Sequence, residues 1–140
     1  MKILRGISRI LLVLWAGSLW SLLWVAATLF NLLNDRHLAG LIAARLFSIE
    51  TYLGVAVATM ALLSSQKRRF AWGYLAVLLL ALNEWILKPF MTVARENGVA
   101  AGLSFGAWHA VSAVIYLLAC CAVLVLVWLQ PVDVQFAKNG

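Results

Sequence analysis

Charge is the first thing this chain has little of. Asp, Glu, Lys and Arg make up 11% of its 140 residues and only 5 are acidic, while 65% of the chain is hydrophobic. A water-soluble domain carries about a quarter charged residues, so that class is excluded. Cysteine is nearly absent as well: Cys120 and Cys121 are adjacent inside an apolar run. Neighbours on a helix point to different faces, so the two do not bridge each other, and there is no CxxC and no zinc spacing. They read as small buried apolar residues. The chain also has no glycine-rich phosphate loop, no nucleophile elbow, no HExxH and no pair of acids set for a water-filled cleft. Ser112 and His109 share a helix face, yet a triad also needs an acid to orient the imidazole, a part that Glu84 could play in principle. The chain is therefore read as having no enzymatic activity. No lipidation signal is present. The net charge of +6 raises nucleic acid as a partner, but the basic residues gather at the ends of apolar runs rather than along a stripe, which excludes it.

What the chain has in abundance is long apolar runs. Four of them, about 10–33, 38–63, 70–93 and 103–129, each reach the roughly 20 residues that a bilayer-crossing helix needs. The 7 Trp fit the same class, since tryptophan is enriched at membrane interfaces. The connections NDRH, SSQKRR and RENGVAAG are short, which makes sequential helices antiparallel neighbours, and Pro131 marks the end of the fourth. The expected fold is an all-α membrane protein, a single domain over residues 1–140 forming a four-transmembrane-helix antiparallel bundle. The N-terminal MKILRGISRILLVLWAGS has the look of a signal peptide, but its apolar run continues to Leu33, well beyond an h-region of roughly 7–15 residues. It is expected to remain as the first helix.

Basic residues set the expected direction. Lys2, Arg5 and Arg9 precede the first run, Lys67, Arg68 and Arg69 separate the second from the third, and Lys138 lies in the tail. The other two connections carry only Arg36 and Arg95, each beside an acid. The positive-inside rule then places both termini and the 64–69 connection in the cytoplasm. Small residues recur at four-residue spacing in Gly17/Ser21, Gly40/Ala44, Gly54/Ala58 and Gly102/Gly106/Ala110, a spacing that lets helix backbones approach closely in lipid. Ala-Gly-Leu occurs at 39–41 and again at 101–103, which hints at two pseudo-repeated hairpins.

The polar residues within the runs are few, and they converge in depth. With antiparallel helices, Arg45, Glu50, Asn83, Glu84, Lys88 and His109 all fall at mid-depth or toward the outer face. Glu84 and Lys88 stand one helical turn apart, in the order that favours pairing. Pro89 follows directly and removes a backbone hydrogen bond to Trp85. Arg45, Ser48 and Tyr52 fall at i, i+3, i+7, as do His109, Ser112 and Tyr116, each a polar stripe on one helix face. Charged groups inside a membrane usually face the bundle interior and mark a functional site. The candidate site is therefore Arg45, Glu84, Lys88 and His109, supported by Ser48, Tyr52, Ser112 and Tyr116. The plainer alternative is structural: a snorkelling Arg45, a neutralised Glu84–Lys88 pair and a hydrogen-bonded core histidine.

The stretches LWAGSLWSLLWVAATLF (14–30), LAGLIAARLFSIETYLG (38–54), KPFM (88–91) and FGAWHAVSAVIYLL (105–118) resemble the bacterial membrane proteins of the transmembrane-protein-205-like family, a domain of unknown function. The matching positions include Gly17, Thr28, Phe30, Gly40, Arg45, Phe47, Lys88, Pro89, Met91, His109, Ser112 and Tyr116. That family often carries a proline before Thr-Leu-Phe, where this chain has Ala27. The resemblance implies a multi-pass protein of the bacterial inner membrane. It also implies a distant likeness to four-helix membrane proteins linked to copper resistance and haem-pathway oxidation.

Three readings of function remain open at this point. One is a non-catalytic membrane component, with the bilayer around it and a homo-oligomer or another membrane protein as partner. Another is a haem- or copper-binding protein, with His109, Met91 and His37 as ligands, since imidazole and thioether suit copper. The third is a small transporter or a proton or anion pathway through the polar site.

Overall fold

Between residues 2 and 32 no proline interrupts the backbone ladder, and the chain forms one long helix, α1 (Lys2–Leu32). The turn that follows is set by Asp35. Its Oδ1 accepts from the His37 N–H at 2.9 Å and the Leu38 N–H at 3.1 Å, satisfying donors that a helix start leaves open. Helix α2 (Arg36–Ser64) therefore begins two residues earlier than its apolar run, and His37 sits in its first turn rather than in a loop. The computed structural model describes residues 2–64 and 70–129. The basic connection at 65–69 and the tail with Pro131 and Lys138 lie outside the described residues.

The third span is continuous but irregular. It consists of α3 (Phe70–Leu82), a π-helical turn (Asn83–Leu87) and α4 (Lys88–Asn97). The Lys88 N–H bonds to the Asn83 carbonyl five residues back. Pro89 then falls in the first turn of α4, where its missing N–H costs least. The irregularity expected beside Pro89 thus takes the form of a widened turn, a feature that recurs at functional sites. The span also runs four residues past the end of its apolar run, to Asn97.

At Gly98 the backbone turns to φ +82, a conformation that glycine adopts without strain. A two-residue antiparallel hairpin follows, β1 (Val99–Ala100) against β2 (Leu103–Ser104). Ala101 and Gly102 have φ +48 and +81, the signature of a tight two-residue turn. Ser104 caps α5 (Phe105–Trp128), its Oγ accepting from the Ala107 N–H at 3.3 Å. Two expectations are corrected here. Gly102 belongs to a turn, not to a helix-packing triple with Gly106 and Ala110. The second Ala-Gly-Leu lies in this hairpin while the first lies inside α2, so the two do not mark equivalent helix starts.

The four spans pack as expected for a four-helix bundle. Helix α1 packs most extensively on α2 and α3 on α5, with lesser contacts of α1 on α5 and α2 on α3 closing the ring. At the end where α1 begins and α5 finishes the core is solid: Leu12, Trp15, Leu19, Leu80, Ala119, Cys120, Val123 and Leu126 are all buried together. The outer surface is apolar. Trp128 is 87% exposed and Trp24 75%, and Leu78, Ile86 and Val114 stand out likewise. Among the described residues four helices are long and apolar enough to cross a membrane, and a bilayer is the solvent that covers such a surface.

Neighbouring spans are joined by polar bridges. Ser18 on α1 donates to Glu50 on α2 at 2.7 Å, and Ser48 on α2 donates to Glu84 in the π turn. Ser112 on α5 donates to Asn83 at 2.6 Å, and the Tyr116 hydroxyl donates to the Leu19 carbonyl on α1 at 3.2 Å. The bridges join α1 to α2, α2 to the third span, that span to α5, and α5 back to α1. In lipid each such bond is worth about 0.6 kcal/mol on average.

Candidate functional site

The end of the bundle opposite the packed core is hollow. A cavity of about 340 Å³ lies between all four spans, near the lower end of the range for small-molecule sites. Small side chains on three spans face it: Ala26 and Ala27 on α1, Gly40, Ala43 and Ala44 on α2, and Ala113 on α5. Three helices that present Ala or Gly toward the fourth do not fill the space between their axes. Larger residues bound the cavity instead, with Leu23, Phe30 and Phe47 on one side and Phe105 on the other. Tyr116 closes the floor, edge-on to Phe47 at 4.7 Å between ring centroids.

The polar part of the wall comes from the third span. Lys88 Nζ lies 2.6 Å from Glu84 Oε1 and 2.5 Å from Ser48 Oγ. Ser48 in turn donates to Glu84, lying 2.8 Å from Oε1 and 3.0 Å from Oε2. Carboxylate, ammonium and hydroxyl thus form one closed unit with no net charge. The Glu84 side chain is 11% exposed and that of Lys88 38%. Beside them, Asn83 accepts from the Ser112 hydroxyl and donates through Nδ2 to the Ser112 carbonyl at 3.3 Å. Ser112 gives its proton to an amide oxygen, not to a base.

At the mouth stand His109 and Arg95. The His109 ring lies between Phe105, stacked at 6.0 Å, and Phe30, edge-on at 6.4 Å. The Arg95 guanidinium sits 4.9 Å above the Phe105 ring, a cation–π contact. A stack of Phe90 on Trp108 at 4.9 Å, and a Trp108 Nε1–H bond to the Ala100 carbonyl at 2.9 Å, tie the hairpin to α4 and α5 next to this mouth.

Of the residues singled out from the sequence, Glu84, Lys88, His109, Ser112, Tyr116 and Met91 all line the cavity, and Ser48 reaches it through Glu84 and Lys88. Arg45 and Tyr52 do not. Both are exposed on the outside of α2, Tyr52 at 58%. The cavity face of α2 is Ala44, Phe47 and Thr51, each one residue before a member of the Arg45–Ser48–Tyr52 stripe. One residue is about 100° of helix rotation, enough to turn Arg45 and Tyr52 outward while Ser48, between them, still meets the third span. His37 is exposed in the first turn of α2, away from the cavity lining. His109 and Met91 therefore share the cavity without it, and among the described residues no three of His, Cys, Asp and Glu cluster. Glu50, a mid-depth acid, is buried against Ser18 and lies outside the lining.

Arg95 is the charged cavity residue that sequence reasoning missed. Ending the third span near Val93 left it in a loop beside Glu96. Continued to Asn97, the helix carries Glu84, Lys88, Met91 and Arg95 at i, i+4, i+7 and i+11, a single face. Phe105, His109, Ser112 and Tyr116 repeat the same spacing on α5.

Comparison with known proteins adds one finding. The sequence model of a family described as a domain of unknown function, DUF4149, matches residues 10–100. No match was found among curated proteins or among solved structures.

Proposed function

The chain belongs to this DUF4149 family, and from that premise we propose that it is a non-catalytic component of the bacterial inner membrane whose intramembrane cavity is a ligand-binding site. The observation that carries this reading is the cavity itself: one chamber, entered by all four spans, with apolar walls and a few convergent polar groups. Such a combination is what small-molecule sites look like. The resemblance to bacterial transmembrane-protein-205-like proteins supports the membrane assignment. The basic residues at 2–9 and 67–69 support an N-in, C-in topology, which directs the cavity mouth away from the cytoplasm.

The non-catalytic reading rests on the hydrogen bonds. Ser112 donates to Asn83 and the Glu84 carboxylate is occupied by Lys88 and Ser48, so neither is positioned as a nucleophile–base pair. A transport pathway is less well supported, because below Tyr116 the spans close into the apolar core around Leu19, Leu80 and Val123. A partner subunit remains the second reading: Gly106 and Ala110 are exposed one turn apart on α5, and small residues so placed admit another helix.

Labelling with a neutral, apolar photoreactive probe such as adamantyl diazirine tests the ligand-site reading. Saturable adducts on Ala26, Ala43 or Phe47, lost when Ala113→Trp fills the cavity, are the expected result. Adducts confined to outward residues such as Trp24 and Leu78, unchanged by Ala113→Trp, would refute it.

A further inference from the structure

The charges in the cavity do not balance, and the imbalance sits at the mouth. Deep in the wall, Glu84 is cancelled by Lys88 at 2.6 Å. Arg95 is left over. Among the described residues no carboxylate lies within ion-pair distance of it, and its recorded contact is the face of Phe105. His109 next to it has ring contacts to Phe30 and Phe105 and no hydrogen bond to a described residue. An arginine over a ring whose other neighbour is an imidazole offers a planar set of donors suited to a carboxylate or a phosphate.

We infer that the cavity takes a single-chain amphiphile with an anionic head, the head held at the mouth by Arg95 and His109 and the chain lying between the apolar walls. This inference rests on the cavity being a ligand site. Arg95 is seven residues beyond Lys88 on the same helix face, about 10 Å along the axis, so the head stays at the mouth while the chain reaches toward Tyr116. The neutral Lys88–Glu84–Ser48 unit gives the chain no second charge to meet. A small inorganic anion fits less well, because it would leave the apolar chamber behind it unfilled. The head chemistry has two sources, a fatty-acid carboxylate or the phosphate of a lysophosphatidate.

The test uses the full chain in a non-ionic detergent and dodecanoate carrying a photoreactive diazirine near its chain end. Adducts are mapped by mass spectrometry. Adducts on Leu23, Ala26 or Phe47 are expected, displaced by unlabelled dodecanoate; displacement by lysophosphatidate at a lower concentration than dodecanoate identifies the phosphate as the preferred head, and the opposite order the carboxylate. Dodecanol and inorganic phosphate should displace neither. Arg95→Met should weaken binding roughly ten- to hundredfold, the loss of a charge-assisted hydrogen bond. Arg95→Lys, which keeps the charge but not the fork, should fall between, with circular dichroism confirming that both variants fold. Displacement by dodecanol as effective as by dodecanoate, full displacement by inorganic phosphate, or unchanged labelling of Arg95→Met would each overturn the inference. If the neutral probe still enters the cavity in such a case, the ligand-site reading stands without it. If neither probe enters, both fail.

Discussion

Removing one charge of the Glu84–Lys88 pair should not cost the same as removing the other. In Lys88→Met the carboxylate keeps only Ser48 as a donor, and its side chain is 11% exposed. Stripping one partner from a buried pair costs about 3–5 kcal/mol. The remaining Ser48 bond and the partial exposure of Lys88 place this case near the lower end, about 3 kcal/mol. In Glu84→Gln the amide oxygen still accepts from Ser48 or Lys88, and the ammonium, 38% exposed, can turn outward. That change should cost about 1 kcal/mol, the net worth of one hydrogen bond. The double variant has no charge left to strand. It should lose about 1–2 kcal/mol rather than the sum of about 4, a coupling within the range seen for contacting residues. Reversible unfolding in mixed micelles, titrated with sodium dodecyl sulfate and followed by far-ultraviolet circular dichroism, measures all three. Glu84→Gln costing more than Lys88→Met, or a double variant additive to within about 0.5 kcal/mol, would show that the closed unit with Ser48 does not form.

The same titration checks two further substitutions. Gly54→Ala should destabilise by about 1–3 kcal/mol, since a Cβ there would lie 2.7 Å from the Trp15 ring, whereas Gly17→Ala, with nothing within 4 Å, should be neutral or slightly stabilising. Ser112→Ala removes the 2.6 Å bond to Asn83 and should cost about 0.6 kcal/mol, at most about 1.7; no measurable loss would show that Asn83 does not depend on it. A fluorescent-protein fusion after Gly140 should be bright and an alkaline phosphatase fusion at the same place inactive; the reverse pattern would place the C-terminus outside. Purified protein from cells supplied with copper and haem should show no stoichiometric metal and no haem absorption, with His109→Ala indistinguishable from the parent. A band lost in that variant would establish the haem- or copper-binding reading, with His109 as a ligand.

Much of the architecture was legible because lipid leaves few choices. A backbone in hydrocarbon must satisfy its own hydrogen bonds, so an apolar run of sufficient length is a helix, and four such runs with short links are an antiparallel bundle. Spacing alone also found the inward face of α5, where His109, Ser112 and Tyr116 all line the cavity. On α2 the same reasoning found Ser48 but missed the residues that line the cavity. Polarity drew the eye to Arg45 and Tyr52, but the interior there is lined by Ala44, Phe47 and Thr51, and an apolar residue carries no mark of which apolar surroundings it faces, core or lipid. The end of the third span was misplaced because polar residues at the close of a spanning helix look like a loop, and with that boundary Arg95 was lost from the site.

The sequence by itself determined the class, the number of spans and the pairing of Glu84 with Lys88, because burial cost and helical periodicity act locally along the chain. Tertiary structure alone decided that Ser48 closes that pair, that Asn83 meets Ser112, that His37 stays apart from His109, and that alanines from α1, α2 and α5 leave a chamber. Each of these depends on the rotation of one helix against another. A hydropathy pattern leaves that rotation open. It was settled by where Trp15 packs against Gly54, where the π turn re-aims the third span, and where Gly98 and Gly102 turn the chain into α5.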